Sequence, residues 1–124
     1  MKLKILETEF SILKVKEIPD WIYQASFFSI TKTFDEISLI VPSESIPQNK
    51  IRDFEINNGW KCIKIDEILN FSLVGILSPI LEILKTNNIS VFVFSTYNTD
   101  YIMVKTEHFS LAVKVLENKK YDII

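Results

Sequence analysis

Residues 71–104 read FSLVGILSPILEILKTNNISVFVFSTYNTDYIMV, and this stretch decides the fold. Leu73, Ile76, Leu77, Ile80, Leu81 and Leu84 recur at i, i+3 and i+4, the spacing of one helix face over three turns. Gly75 sits near the start of that helix. Ser72 is one candidate cap. Ser78 is the other, which would put Pro79 at the first helical position, where proline is favoured. A proline deep inside a helix costs about 3 kcal/mol, so the first turn is expected to begin not far before Gly75. Asn87-Asn88 ends the helix. Residues 89–95 and 101–105 then form a hairpin around the polar tip Ser95-Thr96-Tyr97-Asn98-Thr99-Asp100.

Working outward, residues 60–66 read as a strand leading into the helix. Thr106 or Glu107 opens a last helix in which Phe109, Ala112, Val113 and Leu116 share a face. Lys119 and Lys120 suit its negative end. Residues 121–124 read as a closing strand. The order is β-α-β-β-α-β, which implies a ferredoxin-like sandwich with helices on one face of an antiparallel sheet. Asn57-Asn58-Gly59 is the strongest turn signal in the chain, and the internal boundary is placed there. Whether residues 60–66 open the second unit or close the first is left open, as is whether a unit borrows residues 2–6.

The first half is a thinner version of the same pattern. Leu3 and Ile5, then Phe10 to Val15, give two short strand-like runs parted by Glu7-Thr8-Glu9, with Lys14 and Lys16 on a wet face. Pro19-Asp20 starts a turn, and Trp21-Ile22-Tyr23 make at most one or two helical turns. Residues 27–31 and 37–41 read as strands around the polar tip 32–36. Pro42 and Pro47 bracket a loop, and residues 46–56 hold a short helix. Phe28-Ser-Ile-Thr31-Lys-Thr-Phe-Asp35-Glu-Ile37 lies over Val93-Phe-Ser-Thr96-Tyr-Asn-Thr-Asp100-Tyr-Ile102 at an offset of 65, with Thr, Asp and Ile coinciding. Matching strand–tip–strand structure on both sides points to a duplication whose first helix has shrunk in the first copy.

Composition narrows the function. The chain has 124 residues, 48% of them hydrophobic, with nine Phe and two Trp, enough for a proper interior. Fourteen basic against sixteen acidic residues leave a net charge of -2, which argues against a phosphate-backbone binder. Phe27, Phe28, Phe92 and Phe94 could stack bases in a ferredoxin-like RNA binder, but without a basic surface they read as core. The lone Cys62 lies in an apolar strand pattern, and a reducing compartment fits it. The charged N-terminus is no signal peptide, and no apolar run reaches the 18–20 residues of a membrane span, so a soluble, cytoplasmic protein is expected. His108, the only histidine, stands in the first turn of the last helix without a nucleophile to pair with. No phosphate loop or metal-ligand spacing is present; no cofactor, metal or catalytic role is expected.

The run strand, Gly-bearing turn, apolar helix, NNISVFVFST resembles the ACT domain, the small amino-acid-sensing module of regulated biosynthetic enzymes. That family usually carries Asp-x-Pro-Gly ahead of the helix; here Gly75 matches the glycine, while Ser72 and Val74 stand in the Asp and Pro positions. FSTYNTDYIMVKTEHFSLAVKVL (residues 94–116) is similar to the tandem-ACT proteins that include the cytosolic arginine sensors of animal cells and many short bacterial proteins. FFSITKTFDEISLIVP (residues 27–42) resembles the matching piece of their first unit.

The resemblance implies an α+β fold of two ferredoxin-like units, a degenerate one over residues 1–58 and a second over 59–124. It implies a non-catalytic regulatory module that binds a small molecule, an amino acid, and acts through a partner protein. A scaffold of the same fold with a decayed ligand turn is the alternative. The ligand carboxylate is expected at the N–H groups around Ser72, Val74, Gly75 and Ile76, where orphan helix donors favour an anion. Its ammonium is expected at carbonyls of the facing unit, and its side chain near Thr96 and Asp100, an acidic position that holds the ligand side chain in the arginine sensors. A glycine at 75 can equally serve a backbone angle or close packing, and Asp100 can equally bond its own turn. A homodimer is expected, with neither nucleic acid nor membrane as partner.

Overall fold

The computed structural model describes the backbone of residues 1–124 and every side chain except that of Asp53. The chain divides into two compact units, one of residues 1–7 with 61–124 and one of residues 8–60.

The larger unit contains the β-α-β-β-α-β order read from the sequence. Its elements are β4 (Glu55–Ile65, whose residues 61–65 belong here), α1 (Leu77–Thr86), β5 (Val91–Ser95), β6 (Asp100–Lys105), α2 (Phe109–Asn118) and β7 (Asp122–Ile123). The strand order is β7, the first part of β1 (Lys2–Val15), β4, β6, β5, so residues 2–7 occupy a place between β7 and β4. β5 and β6 pair antiparallel from Val91↔Val104 to Ser95↔Asp100, and β1 pairs parallel with β7 at Lys2↔Asp122. The fold is α+β and ferredoxin-like. Its core joins Leu3, Ile63, Ile65, Ile102 and Val104 from the sheet to Ile80, Leu84, Ala112 and Leu116 from the helices. Ile80/Leu84 and Ala112/Leu116 are i, i+4 pairs, so each helix lays one stripe on the sheet.

Both helices end alike. Asn88 (φ 61) and Lys120 (φ 73) turn left-handed, and the next N–H returns to the helix, Ile89 to Leu84 O at 2.9 Å and Tyr121 to Leu116 O at 3.2 Å. The start of α1 differs from the reading above. It begins at Leu77, capped by neither Ser72 nor Ser78, and Leu73 lies outside it, 51% exposed. Gly75 adopts φ +73, incompatible with a right-handed helix, and the ring of Pro79 would strike the carbonyl of residue 75 in a longer one. Pro79 instead occupies the first turn, where its missing N–H is not needed.

The smaller unit has the strand order β2 (Ser29–Lys32), β3 (Ile37–Pro42), the second part of β1, the first part of β4. Its helical elements are all 3-10 turns, Asp20–Gln24, Ser43–Ser45 and Gln48–Asp53, where a short helix was expected over 46–56. Leu13, Val15, Ile22, Leu39, Val41 and Ile46 form its core.

Three expectations are corrected. The N-terminal strand is one, not two, because Glu7 and Glu9 fall on alternate, outward positions that a continuous strand tolerates. Asn57-Asn58-Gly59 is not a turn but part of β4, so the strand expected over 60–66 starts at Glu55. Ser11 Oγ donates to Asn58 Oδ1 at 2.6 Å and Trp60 Nε1 to Asn57 Oδ1 at 3.2 Å, while Gly59 takes φ +82 without leaving the strand. Residues 1–7, assigned to the first unit, sit in the larger one: Leu3 is fully buried in its core, and Asp66 N–H reaches Lys2 O at 2.9 Å.

Candidate functional site

Within the larger unit, a cavity of about 360 Å³ opens between the connection from β4 to α1 and the tip of the β5–β6 hairpin. Gly75, Ile76 and the first residues of α1 line one side, and Thr96, Tyr97 and Asp100 the other. Of the residues singled out above, Gly75, Ile76, Thr96 and Asp100 are therefore brought together. Ser72 and Val74 are not: both are exposed and lie outside the lining, Val74 at 89%.

Each wall is built by local chemistry. At the hairpin tip Thr96 N–H donates to Thr99 O at 2.8 Å, closing the turn. Thr99, 4% exposed, sends its Oγ1–H to the carbonyl of Ile65 at 2.7 Å, and Leu69 N–H reaches Asn98 O at 2.7 Å. These two bonds tie the tip to the end of β4 and to the loop after it. Asp100 accepts a short hydrogen bond from Ser95 Oγ, which orients one carboxylate oxygen. On the loop, Asn70 Oδ1 accepts from both Ser72 N–H (2.8 Å) and Ser72 Oγ (2.7 Å), so the Ser72 hydroxyl is committed to its own turn. Phe71 and Tyr97 meet edge to face across the rim, centroids 5.0 Å apart.

Gly75 serves its backbone angle, not close packing. A Cβ there would meet nothing within 4 Å, whereas φ is +73. That kink delivers the chain into Ile76, which leads α1 with no side-chain cap and no acid in the first turn. The opening N–H groups of a helix have no intrahelical partner and carry its positive pole. One side of the cavity thus favours an anion, and the other presents a carboxylate, while the Thr96 hydroxyl donates to Thr99 O at 3.3 Å and accepts from Thr99 N–H at 3.4 Å within its own turn.

Neither the histidine nor the cysteine lines the cavity. His108 is exposed in the turn Thr106–His108 and lines no part of the cavity. Cys62 is buried, and burial pushes its thiol up to about 12. Among the described residues no cluster of His, Cys, Asp or Glu could hold a metal ion, and no helix is long and apolar enough to cross a membrane. Sequence reading missed Asn70, Phe71, Tyr97 and Thr99. Asn70 two before Ser72 is a turn signal, but the buried role of Thr99 depends on a carbonyl 34 residues away.

The ACT domain family matches residues 55–118, more than half of the chain, and a second family, described as an N-terminal domain, matches residues 11–49. A crystal structure of a protein from Agrobacterium tumefaciens is 31% identical, with a TM-score of 0.86 over 99% of this chain and 91% of that one. The human cytosolic arginine sensor for mTORC1 subunit 1 is 24% identical over 99% of this chain. This chain spans 44% of that sensor's length. The regulatory subunit of aspartate kinase from Thermus thermophilus shares the fold at a TM-score of 0.65 and 8% identity, covering 95% of this chain and 96% of its own. The chain belongs to the ACT domain family.

Proposed function

We propose that this protein is a non-catalytic regulatory domain that binds a small molecule, and that the ligand is an amino acid. One observation carries the reading: a single cavity holds the uncapped start of α1 at Gly75–Ile76 opposite Asp100 and Thr96. Its volume of about 360 Å³ falls in the usual range for small-ligand sites. The ligand carboxylate meets the N–H groups from Gly75 into the first turn of α1, and the side chain lies toward Thr96 and Asp100. A basic side chain suits the Asp100 carboxylate. Similarity to a protein named as an arginine sensor supports the same reading.

The smaller unit is, in this proposal, a degenerate copy of the larger one, its helices reduced to 3-10 turns. The protein acts in the cytoplasm as a homodimer and passes ligand occupancy to a partner protein. β5 ends the strand order, and beside it Leu77, Leu81, Ile89 and Val91 line a groove of about 520 Å³, a surface a second copy can cover. Sedimentation at micromolar concentration tests this; a clean monomer removes it.

Ser72 and Val74, in place of the family's Asp and Pro and outside the cavity, favour a second reading as a scaffold whose ligand turn has decayed. Thermal unfolding with each of the twenty amino acids at millimolar concentration separates the two. A ligand at 100 times its Kd adds about 2.7 kcal/mol and raises Tm by several degrees. No shift from any amino acid, on protein stripped by refolding, leaves the scaffold.

A further inference from the structure

The hairpin tip of the smaller unit, residues 33–36 between β2 and β3, is built unlike the tip that walls the cavity. Its bonds among the described residues close on itself. Thr33 N–H donates to Glu36 O at 2.9 Å, and Thr33 Oγ1 accepts from Asp35 N–H and Glu36 N–H, each at 3.1 Å. Phe34 crowns this turn, fully exposed, with Asp35 and Glu36 beside it. Neither carboxylate pairs with a cation among the described residues. A singly exposed apolar side chain is ordinary. A large ring held clear of the molecule on a pre-ordered turn, beside uncommitted charges, has the form of an interface anchor, because docking it demands little further ordering.

A receptor for it lies in the same unit. Lys14, Lys16, Arg52, Phe54 and Glu55 line a groove of about 400 Å³. Lys14 Nζ stands 3.9 Å from Glu55 Oε2, and Lys16 and Arg52 form no ion pair among the described residues. The groove thus offers a ring and two uncommitted cations in a chain whose net charge is -2. The tip offers a ring and two uncommitted carboxylates. Tip and groove also stand at one end of the sheet, since Ile37, which follows the tip, pairs with Val15 of β1. A patch that carries both halves side by side is self-complementary about a two-fold axis, so the contact closes on two copies.

We propose that the occupant of the groove is the tip of a second copy of this chain. Phe34 of each copy lies against Phe54 of the other, and Asp35 and Glu36 meet Lys16 and Arg52 in charge-assisted pairs. The contact shares no residue with the groove beside β5 and makes no use of the Gly75–Asp100 cavity, so it stands or falls apart from both.

The test is sedimentation of the full chain and its variants over a series up to millimolar concentration. Wild type should reach a heavier species than Phe34→Ser, which leaves the charge unchanged and should weaken the association about tenfold or more. Asp35→Lys/Glu36→Lys on the tip and Lys16→Glu/Arg52→Glu in the groove should each weaken it as much, because like charges then face each other. Mixed in equal amounts, these two variants should associate again, since each basic tip finds an acidic groove and each acidic tip a basic one. Adding Phe34→Ser to both should dissolve the mixed species. Any contact at β5 is common to every sample and cancels from the comparison. A wild type no heavier than Phe34→Ser across the series overturns the proposal, as do a mixture no heavier than its components and a mixed species indifferent to Phe34→Ser.

Discussion

Thr99 Oγ1 donates a 2.7 Å hydrogen bond to the carbonyl of Ile65, joining the hairpin tip to the last residue of β4. Both residues are buried, so neither group can turn to water instead. The bond fixes the height of the tip, and with it Thr96 and Asp100, relative to the start of α1. Thr99→Val keeps the shape and removes the donor, leaving the Ile65 carbonyl unsatisfied at a cost of about 1–3 kcal/mol. A fall in Tm of several degrees, read by calorimetry, is the expected outcome. Thr99→Ser restores the donor and should recover most of the loss; equal losses in both variants would point to the methyl group instead.

Gly75 gives a second prediction. Because a Cβ at this position meets nothing, substitution cost comes from φ +73 alone. Alanine should destabilise by roughly 1–2 kcal/mol, and asparagine, which tolerates this region, by less. Valine should be worst and should also abolish any amino-acid-induced rise in Tm, since its branched side chain enters the cavity mouth. Urea midpoints at unchanged m-values would establish the order Gly, Asn, Ala, Val.

The legible parts of this fold were those specified by local pattern. The i, i+4 stripe of Ile80 and Leu84, the β5–β6 hairpin and the Asn87-Asn88 stop all depend on neighbours in sequence, and all are present. The misread parts depend on partners far along the chain. Asn57-Asn58-Gly59 has turn composition, but Ser11, 47 residues away from Asn58, supplies the bond that keeps it in a strand. Residues 2–7 carry no sign that they belong beside β4 and β7. At the site, Gly75, Thr96 and Asp100 stood out through the resemblance to a family pattern and the recurrence of Thr and Asp at an offset of 65, whereas nothing local marked Thr99, whose partner Ile65 lies 34 residues away. Ser72 drew attention by its position in a family pattern, and its hydroxyl proves committed to Asn70.

Cys62 yields a pH dependence. Burial raises its pKa from 9.0 to about 12, so the native thiol keeps its proton over a range in which the unfolded chain has lost it. Between these values the unfolded state binds fewer protons, and stability falls as pH rises, by up to about 1.4 kcal/mol per pH unit from this group. Cys62→Ala removes the dependence while costing some packing. In the native protein at pH 8 the thiol should resist alkylation, and in urea it should react at the rate of a free cysteine. Fast labelling of the native protein would contradict the burial.

Asp100 provides the sharpest test of the ligand reading. Its carboxylate accepts from Ser95 Oγ, and the residue, half-buried, lines the cavity. Asp100→Asn preserves size and an acceptor for Ser95 but removes the charge. A basic amino acid should then lose about tenfold in affinity, some 1.4 kcal/mol, because the charge-assisted bond becomes a neutral one. An apolar amino acid bound in the same cavity should change by less than about twofold, since it makes no use of that charge. Titration calorimetry of both ligand types on wild type and variant decides the point. A loss shared equally by both would mean that Asp100 shapes the hairpin tip and does not touch the ligand, and the preference for a basic side chain would then have to be given up.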